Sequence, residues 1–401
     1  MTSVPTDRTT APATDDAMGV DGPLLDVTDL RTTFRTPVGD VVAVDGVSFT
    51  LRRGETLGIV GESGSGKSML ARSVLRLVEQ RNATVTGRVV LDGHDLATLS
   101  NRELRRRRGR VAAMIFQDPM TALNGTMRIG QQITESLREH LPMGRGERRA
   151  AAIDLLRSVG IPDAERHLRS YPHELSGGMR QRAMIAIALA CGPKLLIADE
   201  PTTALDVTMQ RQVLDLLDTE QRDRSMSMML ITHDLGVVAG RADRIMVMYA
   251  GRVVEHAPAD RLFAAPRHPY TDGLLRSVPR VSDEPGRELA TIPGSPRVVL
   301  DGAVGCPFAP RCDRAQPDCL DANPPLTPVD GTSEPDDLHD TRSLHEHACW
   351  YPLGTERGER ALQANRAAGT TAAGLRLTDM TGSADTATEP TVSDTVARSA
   401  P

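Results

Sequence analysis

"GESGSGKS", residues 61–68, lies between the short apolar run TLGIV and the amphipathic run MLARSVLRLV. Its glycines let the backbone curl so that successive N–H groups face one anion, and the helix that follows adds its positive end. Lys67 can then reach the terminal phosphates of a nucleotide, and the Ser68 hydroxyl can bind Mg²⁺. The strand before the loop and the helix after it favour a nucleotide loop over a flexible Gly/Ser turn. The residues expected to bind the nucleotide here are Gly61, Ser63, Gly64, Gly66, Lys67 and Ser68.

The composition of the 401-residue chain limits the class of protein. Hydrophobic residues make up 39% of the chain, which is enough for a substantial core in two or three domains. The net charge of −6 argues against nucleic acid as the main partner, because binding to a phosphate backbone needs a basic face. The basic run LRRRRGR follows a capping-box pattern at Ser100 and Glu103, which predicts a short helix with a solvated basic face.

The two ends of the chain have the composition of disordered tails. Residues 1–22 are rich in Thr, Ala, Pro and Asp without an apolar centre, so we expect a disordered tail and no secretory signal. Residues 353–401 carry the same prediction. No run approaches the roughly 18 apolar residues of a membrane span. Without an export signal, the five cysteines are expected to be reduced thiols.

The order of apolar patterns predicts an α/β fold. The runs LLDVTDLRTTF, VVAVDGVSFTL and GRVVLDG are typical of strands, and residues 118–190 show helical i, i+3, i+4 spacing. KLLIAD, SMMLIT and RIMVMY predict three buried strands separated by helix-length segments, which is typical of a parallel sheet. After residue 265 the chain becomes proline-rich and contains four of the five cysteines, which predicts a separate C-terminal module.

Ionisable residues follow two of the predicted buried strands. Asp199 ends one strand and Glu200 comes next, at the sheet edge where ligands collect in α/β proteins. Asp199 would bind Mg²⁺, and Glu200 would polarise the water that attacks the γ-phosphate. His233 follows the next strand in the run ITHD and would sense the γ-phosphate, with a structural role at the strand end as the alternative.

A second anion site is predicted in the run LSGGMRQR. Ser176, Gly177 and Gly178 precede a helical pattern, so their amides and the serine hydroxyl would lie at a helix N-terminus, where anions bind. The phosphates of a bound nucleotide already have a cradle at residues 61–68. We therefore expect the second site to serve a nucleotide held by another chain, in a dimer with ATP at the interface.

The motifs GESGSGKS, LSGGMRQR, LLIADEP, TALD and ITHD, in this order over residues 24–352, resemble those of ABC-transporter ATPases. The resemblance implies a P-loop NTPase core of the ABC type over residues 23–265. Such a core has an antiparallel β-subdomain and a helical subdomain, the latter at about residues 118–190 here. A loop-rich C-terminal extension would follow over residues 266–352.

The same resemblance implies roles for single residues. Gln117 in MIFQDP would sense Mg²⁺ and contact the membrane subunits, and Asp206 in TALD would act across the dimer interface. Phe34 would stack on adenine, with a core position as the alternative. Catalysis would then involve Glu200, His233 and Gln117, and Mg²⁺ would bind Ser68, Gln117 and Asp199.

The C-terminal region carries a second resemblance, in the run HPYTDGLLRSVPR, to the extension of ATPase subunits from oligopeptide/dipeptide importers. Four cysteines follow it, separated by five, six and twenty-nine residues: Cys306, Cys312, Cys319 and Cys349. Zinc sites usually contain two tight C-x₂₋₄-C pairs, so this spacing favours a cubane in which each thiolate binds a different iron. The family resemblance also points to a [4Fe–4S] cluster; zinc and unliganded thiols are the alternatives. Cys191 is expected to be a small core residue.

Together these resemblances imply an ATP-hydrolysing subunit that drives uptake of di- and oligopeptides from the cytoplasmic face of the cell membrane. The implied partners are a second ATPase subunit, two integral membrane permease subunits and, indirectly, an extracytoplasmic peptide-binding protein. Nickel or glutathione would be the alternative cargo. A soluble ABC ATPase of DNA repair and a redox regulator are the rival functions. Because the ATP motifs precede residue 266, we expect hydrolysis largely to survive loss of the cluster.

Overall fold

A computed structural model gives the fold of the chain. It describes residues 22–37, 39–78, 81–203, 205–278, 291–297, 299–329 and 344–377. The tail predicted for residues 1–22 lies outside the described residues except for its last residue, and the chain from residue 378 onward also lies outside them.

The elements alternate between strands and helices as the apolar patterns predict. In chain order the strands are β1 (Leu25–Thr36), β2 (Gly39–Leu51), β3 (Thr56–Val60), β4 (Ala83–Leu91), β5 (His94–Asp95), β6 (Ala112–Ile115), β7 (Leu195–Asp199), β8 (Ser227–Thr232), β9 (Arg244–Tyr249), β10 (Arg252–Pro258), β11 (Thr327–Pro328) and β12 (Glu346–His347). The α-helices are α1 (Lys67–Val74), α2 (Asn101–Arg110), α3 (Pro119–Ala122), α4 (Ile129–His140), α5 (Arg145–Ser158), α6 (Ala164–His167), α7 (Gly177–Leu189), α8 (Val207–Asp223), α9 (Leu235–Val238), α10 (Ala259–Ala264), α11 (Pro269–Ser277), α12 (Asp318–Asp321) and α13 (Glu356–Ala368). Two 3₁₀ helices span Pro172–Glu174 and Ala309–Arg311.

The strands form two sheets. An antiparallel sheet has the order β2-β1-β4-β5, and a larger sheet has the order β11-β12-β10-β9-β3-β8-β7-β6. Within the larger sheet, β9, β3, β8, β7 and β6 run parallel, because helix-length crossovers connect them. The three predicted buried strands are confirmed as β7, β8 and β9, every residue of which is buried.

The C-terminal extension continues the central sheet. Strand β12 pairs antiparallel with β10, placing His347 opposite Glu255, and β11 pairs with β12 in turn. Since these short strands contain only two residues each, the sequence offered no alternating pattern that could have revealed them. The extension is therefore joined to the central sheet by backbone hydrogen bonds and shared packing.

Two apolar clusters cover the two faces of the central sheet. Leu57 and Ile59 of β3 belong to the cluster beneath the antiparallel sheet and α1, whereas Val60 belongs to the cluster beneath the helical region. Successive side chains of a strand point to opposite faces, and here both faces are covered, which explains the continuous apolar runs. Each large aliphatic side chain buried in this way contributes about 1.5–3 kcal/mol to folding.

The capping box predicted ahead of α2 is confirmed. The Ser100 side chain accepts from the Glu103 backbone N–H at 3.3 Å, and the Ser100 N–H donates to the Glu103 carboxylate at 2.8 Å. The predicted solvated basic face is wrong at one residue. Arg108 turns inward and donates to the carbonyl oxygens of Leu75 and Arg76 at 2.8 and 2.7 Å, because the helix kinks at Arg108 and Gly109.

The prediction of a disordered tail from residue 353 is wrong for the described part of that tail. Residues 356–368 form α13, whose Asn365 is buried and donates to the carbonyl oxygens of Asp313 and Ala315 at 2.9 and 3.1 Å. The helix is amphipathic, and its apolar side needs the extension as a partner, which the composition of the tail does not reveal. Among the described residues, no helix combines the length and apolar character that crossing a membrane requires.

Candidate active site

The phosphate loop joins the buried end of β3 to the start of α1. Gly61 has φ +154° and Gly66 has φ +101°, the latter in the left-handed region that favours glycine. A Cβ atom at Gly61 would collide with the carbonyl oxygen of Met248, and one at Gly66 would collide with that of Ala43. The loop can therefore pack this closely against its neighbours only with glycine at both positions.

Lys67 is buried within this loop. Its Nζ donates to the carbonyl oxygens of Gly61 at 2.7 Å and Glu62 at 2.9 Å. Burial lowers the pKa of Lys67, while the negative charges of Glu200 and Asp199 oppose that shift. The ammonium group therefore has a fixed position close to two carboxylates, as a phosphate-binding lysine requires.

Ser68 and Asp199 form the candidate magnesium site. The Ser68 hydroxyl donates to Asp199 Oδ1 at 2.8 Å, and Asp199 is only 1% exposed. The other carboxylate oxygen, Oδ2, is buried and has no hydrogen-bond partner among the described residues. A buried oxygen of this kind is costly unless a cation or donor satisfies it, and Mg²⁺ prefers hydroxyl and carboxylate oxygens. The residues present therefore fit Mg²⁺.

The predicted catalytic residues converge on Glu200. Its carboxylate accepts from the Gln117 amide at 2.9 Å and from the Thr203 hydroxyl at 2.9 Å, and His233 Nδ1 lies 3.4 Å away. Burial raises the pKa of Glu200, but the Thr203 hydrogen bond and the charge of His233 outweigh burial, so the pKa is lowered overall. Glu200 is therefore an ionised acceptor at neutral pH.

The backbone conformation at Glu200 orients this carboxylate. Glu200 has φ +46°, in the left-handed region that a non-glycine residue adopts at a cost. Its N–H is held by the carbonyl oxygen of Ile231 at 2.9 Å. The contact of Thr203 with Glu200 was not predicted from the sequence. The local signal that could have identified Thr203 is its position three residues after Glu200, with a turn between the two.

The second predicted anion site lies at the start of α7. Ser176 caps the helix by accepting from the Met179 N–H at 3.3 Å, and both Ser176 and Gly177 are exposed. Gly177 has open space where a Cβ would lie, whereas a Cβ at Gly178 would collide with the Met209 side chain. A larger residue at position 178 would have to displace the end of the Met209 side chain, whereas the exposed Ser176 and Gly177 are accessible to a ligand. In the described part of the chain, no hydrogen bond or ion pair links Ser176–Gly178 to the phosphate loop.

Two other predicted site residues, Asp206 and Phe34, do not take part in the contacts around Glu200. Asp206 caps α8 by accepting from the Met209 N–H at 2.9 Å, so a local role is already visible for it. Phe34 is half-buried on β1, opposite Val41 and Ala83. Its contact with adenine and the role of Asp206 across an interface remain predictions.

Four cysteines of the extension line one small cavity. They are Cys306, Cys312, Cys319 and Cys349. Burial, with a smaller contribution from the charge of Cys319, raises the pKa of the Cys306 thiol to about 11. Among the described residues, no three His, Cys, Asp or Glu side chains converge on a point where they could hold a single metal ion. Cys191 lies outside this group, is half-buried, and places Sγ 3.5 Å from the Ser136 carbonyl oxygen.

The fold and the phosphate-binding site define the class of ATP-binding cassettes. A family model described as "ABC transporter" matches residues 44–203. Among solved structures, the chain is similar to a post-hydrolysis dimer of the ATP-binding cassette MJ0796 bound to ADP and Pi. The identity is 26% and the TM-score 0.53, over 59% of this chain and 98% of that one. The protein cbiO1 of Clostridium perfringens, part of the ABC transporter complex cbiONQ, gives 27% identity and a TM-score of 0.51, over 61% of this chain and 92% of that one.

The chain belongs to the ATP-binding subunits of oligopeptide/dipeptide ABC importers. It is 52% identical to the oligopeptide transport ATP-binding protein OppD of Salmonella typhimurium, over 76% of this chain and 90% of that protein. It is 53% identical to a putative peptide import ATP-binding protein of Brucella abortus, over 77% and 93%. A model of the oligopeptide/dipeptide transporter C-terminal region matches residues 254–319. The protein is therefore an ATPase, the ATP-hydrolysing subunit of an importer of this family.

The geometry around Glu200 gives a first test. Glu200→Gln should retain ATP affinity but lower turnover about a hundredfold or more, because it removes the charge that polarises water and leaves the phosphate loop intact. Lys67→Ala should instead weaken ATP binding itself. Equilibrium binding of a fluorescent ATP analogue and steady-state phosphate release would separate the two effects. Near wild-type turnover in Glu200→Gln would show that another group activates the water.

Proposed function

We propose that this chain acts at the cytoplasmic face of the cell membrane and uses ATP binding and hydrolysis to drive uptake of di- and oligopeptides. It would do so as one of two ATPase subunits beneath two integral membrane permease subunits, which receive the peptide from an extracytoplasmic binding protein. The observation that supports this most is the convergence of Gln117 and His233 on the Glu200 carboxylate, beside the phosphate loop. The peptide names carried by the relatives from Salmonella and Brucella support the cargo.

The nucleotide would be ATP with Mg²⁺. The loop amides and Lys67 would hold the phosphates, and Ser68, Asp199 and Gln117 would hold the metal ion, with Asp199 Oδ2 as the oxygen that still lacks a partner. When bound, Mg²⁺ supplies positive charge that neutralises the developing charge on the phosphate oxygens. Glu200 would accept a hydrogen bond from the attacking water, and His233 would contact the γ-phosphate.

Hydrolysis would require two chains. The exposed Ser176 hydroxyl and Gly177 amide form half of a phosphate site at the α7 N-terminus, and the phosphate loop of the same chain forms another half-site. The dimer found for the similar cassette MJ0796 supports an arrangement in which each half-site faces the other subunit. A paralogous subunit or a second copy of this chain would supply the facing half.

Motion would pass to the membrane subunits through the segment around Gln117. The side chains of Phe116 and Met120 flank this glutamine and are exposed by 37% and 62%, which is unusual for large apolar residues. Gln117 itself bonds to Glu200, so closing of the nucleotide site would move this exposed apolar segment. A permease loop with apolar side chains would fit the segment.

We also propose that the extension holds a [4Fe–4S] cluster. The four thiols face one cavity, and the charges of Cys312, Cys349 and Cys306 would influence one another. Among the described residues, no His, Cys, Asp or Glu side chains converge as the ligands of a single ion would. The preference for a cluster over zinc rests on the spacing of the four cysteines in the sequence. The matched family region ends at Cys319, so Cys349 is assigned as the fourth ligand from its place in the cavity alone.

The two-chain arrangement predicts separate effects on binding and turnover. Gly177→Asp places a charge at the α7 N-terminus without a clash, since space is open there. Turnover in the assembled transporter should fall about tenfold or more, because a carboxylate repels phosphate, while binding of ATP to the Lys67 site is retained. Gly146→Asp, in the same helical region and also open, is the matched control and should change neither. Equal loss of ATP binding in Gly177→Asp would rule out the arrangement.

The cargo can be tested in proteoliposomes that contain the permease and ATPase subunits and the binding protein. Labelled di- and oligopeptides should be taken up and should stimulate ATP hydrolysis, and Glu200→Gln should abolish both effects. Uptake of nickel or glutathione without uptake of any peptide would support the alternative cargo. Uptake that continues in Glu200→Gln would separate transport from the proposed site.

The cluster predicts a coloured protein. Purified without oxygen, it should be brown and contain about four irons per chain. Cys306→Ser or Cys319→Ser should remove the colour and the iron, because a hydroxyl is a poor ligand for this cluster. Cys191→Ser is the control and should leave both unchanged. Stoichiometric zinc without iron in the anaerobic protein would overturn the cluster and leave the ATPase assignment in place.

A further inference from the structure

The C-terminal extension contacts the phosphate loop directly, across 249 residues of sequence. Arg311 Nη1 donates to Glu62 Oε2 at 2.6 Å, and Arg311 Nη2 donates to Glu62 Oε1 at 2.9 Å. Bidentate pairs of this kind are strong and fix orientation, because both N–H groups of a planar fork are engaged at once. The Arg311 side chain is buried, with 4% of its surface exposed, whereas the Glu62 side chain is 26% exposed, so water screens the pair only in part.

The Arg311 guanidinium has a single well-defined position. Its Nε donates to the Pro293 carbonyl oxygen at 2.7 Å, and its charged centre lies 5.8 Å from the Tyr249 ring and 6.0 Å from the Phe308 ring. The hydrogen bonds to Glu62 outweigh burial and raise the pKa of Arg311, which is therefore permanently charged. A lysine ammonium at this position would keep the charge but could not make the same two-point contact with the Glu62 carboxylate.

A second residue of the extension holds the backbone of Glu62. Tyr270 is fully buried in α11, and its hydroxyl accepts from the Glu62 N–H at 2.7 Å. The Tyr270 ring packs edge-on against Tyr249, with centroids 4.8 Å apart. Glu62 is thus held by the extension at its side chain and at its backbone.

Glu62 is in turn a support for Lys67. The Glu62 carbonyl oxygen accepts from Lys67 Nζ at 2.9 Å, and the Gly61 carbonyl, which shares a peptide unit with the Glu62 N–H, accepts from the same Nζ at 2.7 Å. The residue that the extension holds therefore also positions the ammonium group. A change in the position of Glu62 would move the Lys67 charge relative to the phosphates. Such a change would alter ATP affinity, whereas Glu200 and the water it activates lie at the end of another strand.

The segment that carries Arg311 is built between two of the cysteines. Arg311 directly precedes Cys312, in the 3₁₀ helix Ala309–Arg311. The Ala309 N–H donates to the Cys306 carbonyl oxygen at 3.0 Å, and the Cys312 N–H donates to the Ala309 carbonyl oxygen at 3.2 Å. Both thiols line the cysteine cavity, so whatever binds there constrains the two ends of this short helix.

We propose that Arg311 is a positioning residue for ATP binding, which holds Glu62 and through it Lys67, and that the occupied cysteine cavity keeps Arg311 in place. The role of Arg311 stands without the cluster, whereas its dependence on the cavity rests on the proposed function. This coupling changes one expectation from the sequence. Loss of the cluster should weaken ATP binding, even though the ATP motifs precede residue 266.

The first part is tested with Arg311→Met and Glu62→Gln in the full-length protein assembled with its partner subunits. Each variant should weaken binding of a fluorescent ATP analogue and raise KM for ATP about tenfold, with kcat nearly unchanged. The double variant should be no worse than either single one, because the two side chains act as a pair. Arg311→Lys should recover part of the loss, since it keeps the charge without the fork.

Arg314→Met is the matched control. Arg314 is also buried, lies two residues after Cys312, and pairs with Glu359 of α13 at 3.1 Å instead of the phosphate loop. It should lower the melting temperature without changing the affinity for ATP. Because Arg314 also lines the cysteine cavity, the iron content of this variant is measured on the same sample. Equal weakening of ATP binding by Arg311→Met and by Arg314→Met with the iron content of the wild type would overturn the proposal, as would an unchanged KM in Arg311→Met. If Arg311→Met does not fold, Tyr270→Phe replaces it, with about threefold weaker binding expected and unchanged binding overturning the proposal.

The second part is tested with Cys312→Ser, measuring iron content and ATP affinity on the same sample. Iron should be lost and ATP binding should weaken, but Cys312→Ser should add nothing in the Arg311→Met background. Iron loss with unchanged ATP affinity would overturn the dependence on the cavity. A wild-type protein without iron would instead refute the cluster, while the effect of Arg311→Met on KM would still be expected.

Discussion

The buried ammonium group of Lys67 is the constraint on which the rest of the nucleotide site depends. Burial lowers its pKa, and the charges of Asp199 and Glu200 oppose that shift. The parallel register of the sheet brings these charged groups together. Val60 at the end of β3 lies opposite Thr232 of β8, and Ile231 of β8 lies opposite Asp199 of β7. Strand β3 thus leads to the lysine, β7 carries the candidate metal ligand and leads to the candidate catalytic base, and β8 between them leads to His233, all at a single sheet edge. The glycines of the loop then bring the backbone close enough to complete the cradle.

Much of this site could be predicted from the sequence because its determinants are local. A phosphate loop needs glycine where the backbone has no space for a Cβ, and Ser100 and Glu103 satisfy each other within one helical turn. Buried parallel strands also leave continuous apolar runs. The contacts between Arg311 and Glu62 could not be predicted, since a pair of charged residues 249 positions apart has no characteristic spacing.

The division at residue 266 shows a second limit of sequence patterns. Composition changes there, yet the central sheet continues through β12, and a buried carboxylate ties the two parts together. Glu255 of β10 accepts from the backbone N–H groups of Arg267 and His268 at 2.6 and 2.9 Å, and from His345 at 2.7 Å. Burial raises the pKa of Glu255, but these bonds, led by that from His345, lower it overall, so the carboxylate remains charged. Removing the extension would leave the buried Glu255 carboxylate unpaired. The core and the extension are therefore expected to unfold as one cooperative unit.

The way in which the extension contacts the nucleotide site determines what it can influence. It holds Glu62, whose carbonyl supports the phosphate-binding lysine, whereas the groups around Glu200 come from β6, β7 and β8 of the core. An interaction that acts equally on bound ATP and on the transition state changes KM and leaves kcat unaltered. The extension is therefore built to control how fully the subunit is occupied by ATP, while the rate of hydrolysis is set within the core. In the two-chain arrangement proposed above, the occupancy of each nucleotide site is the step at which such control would act.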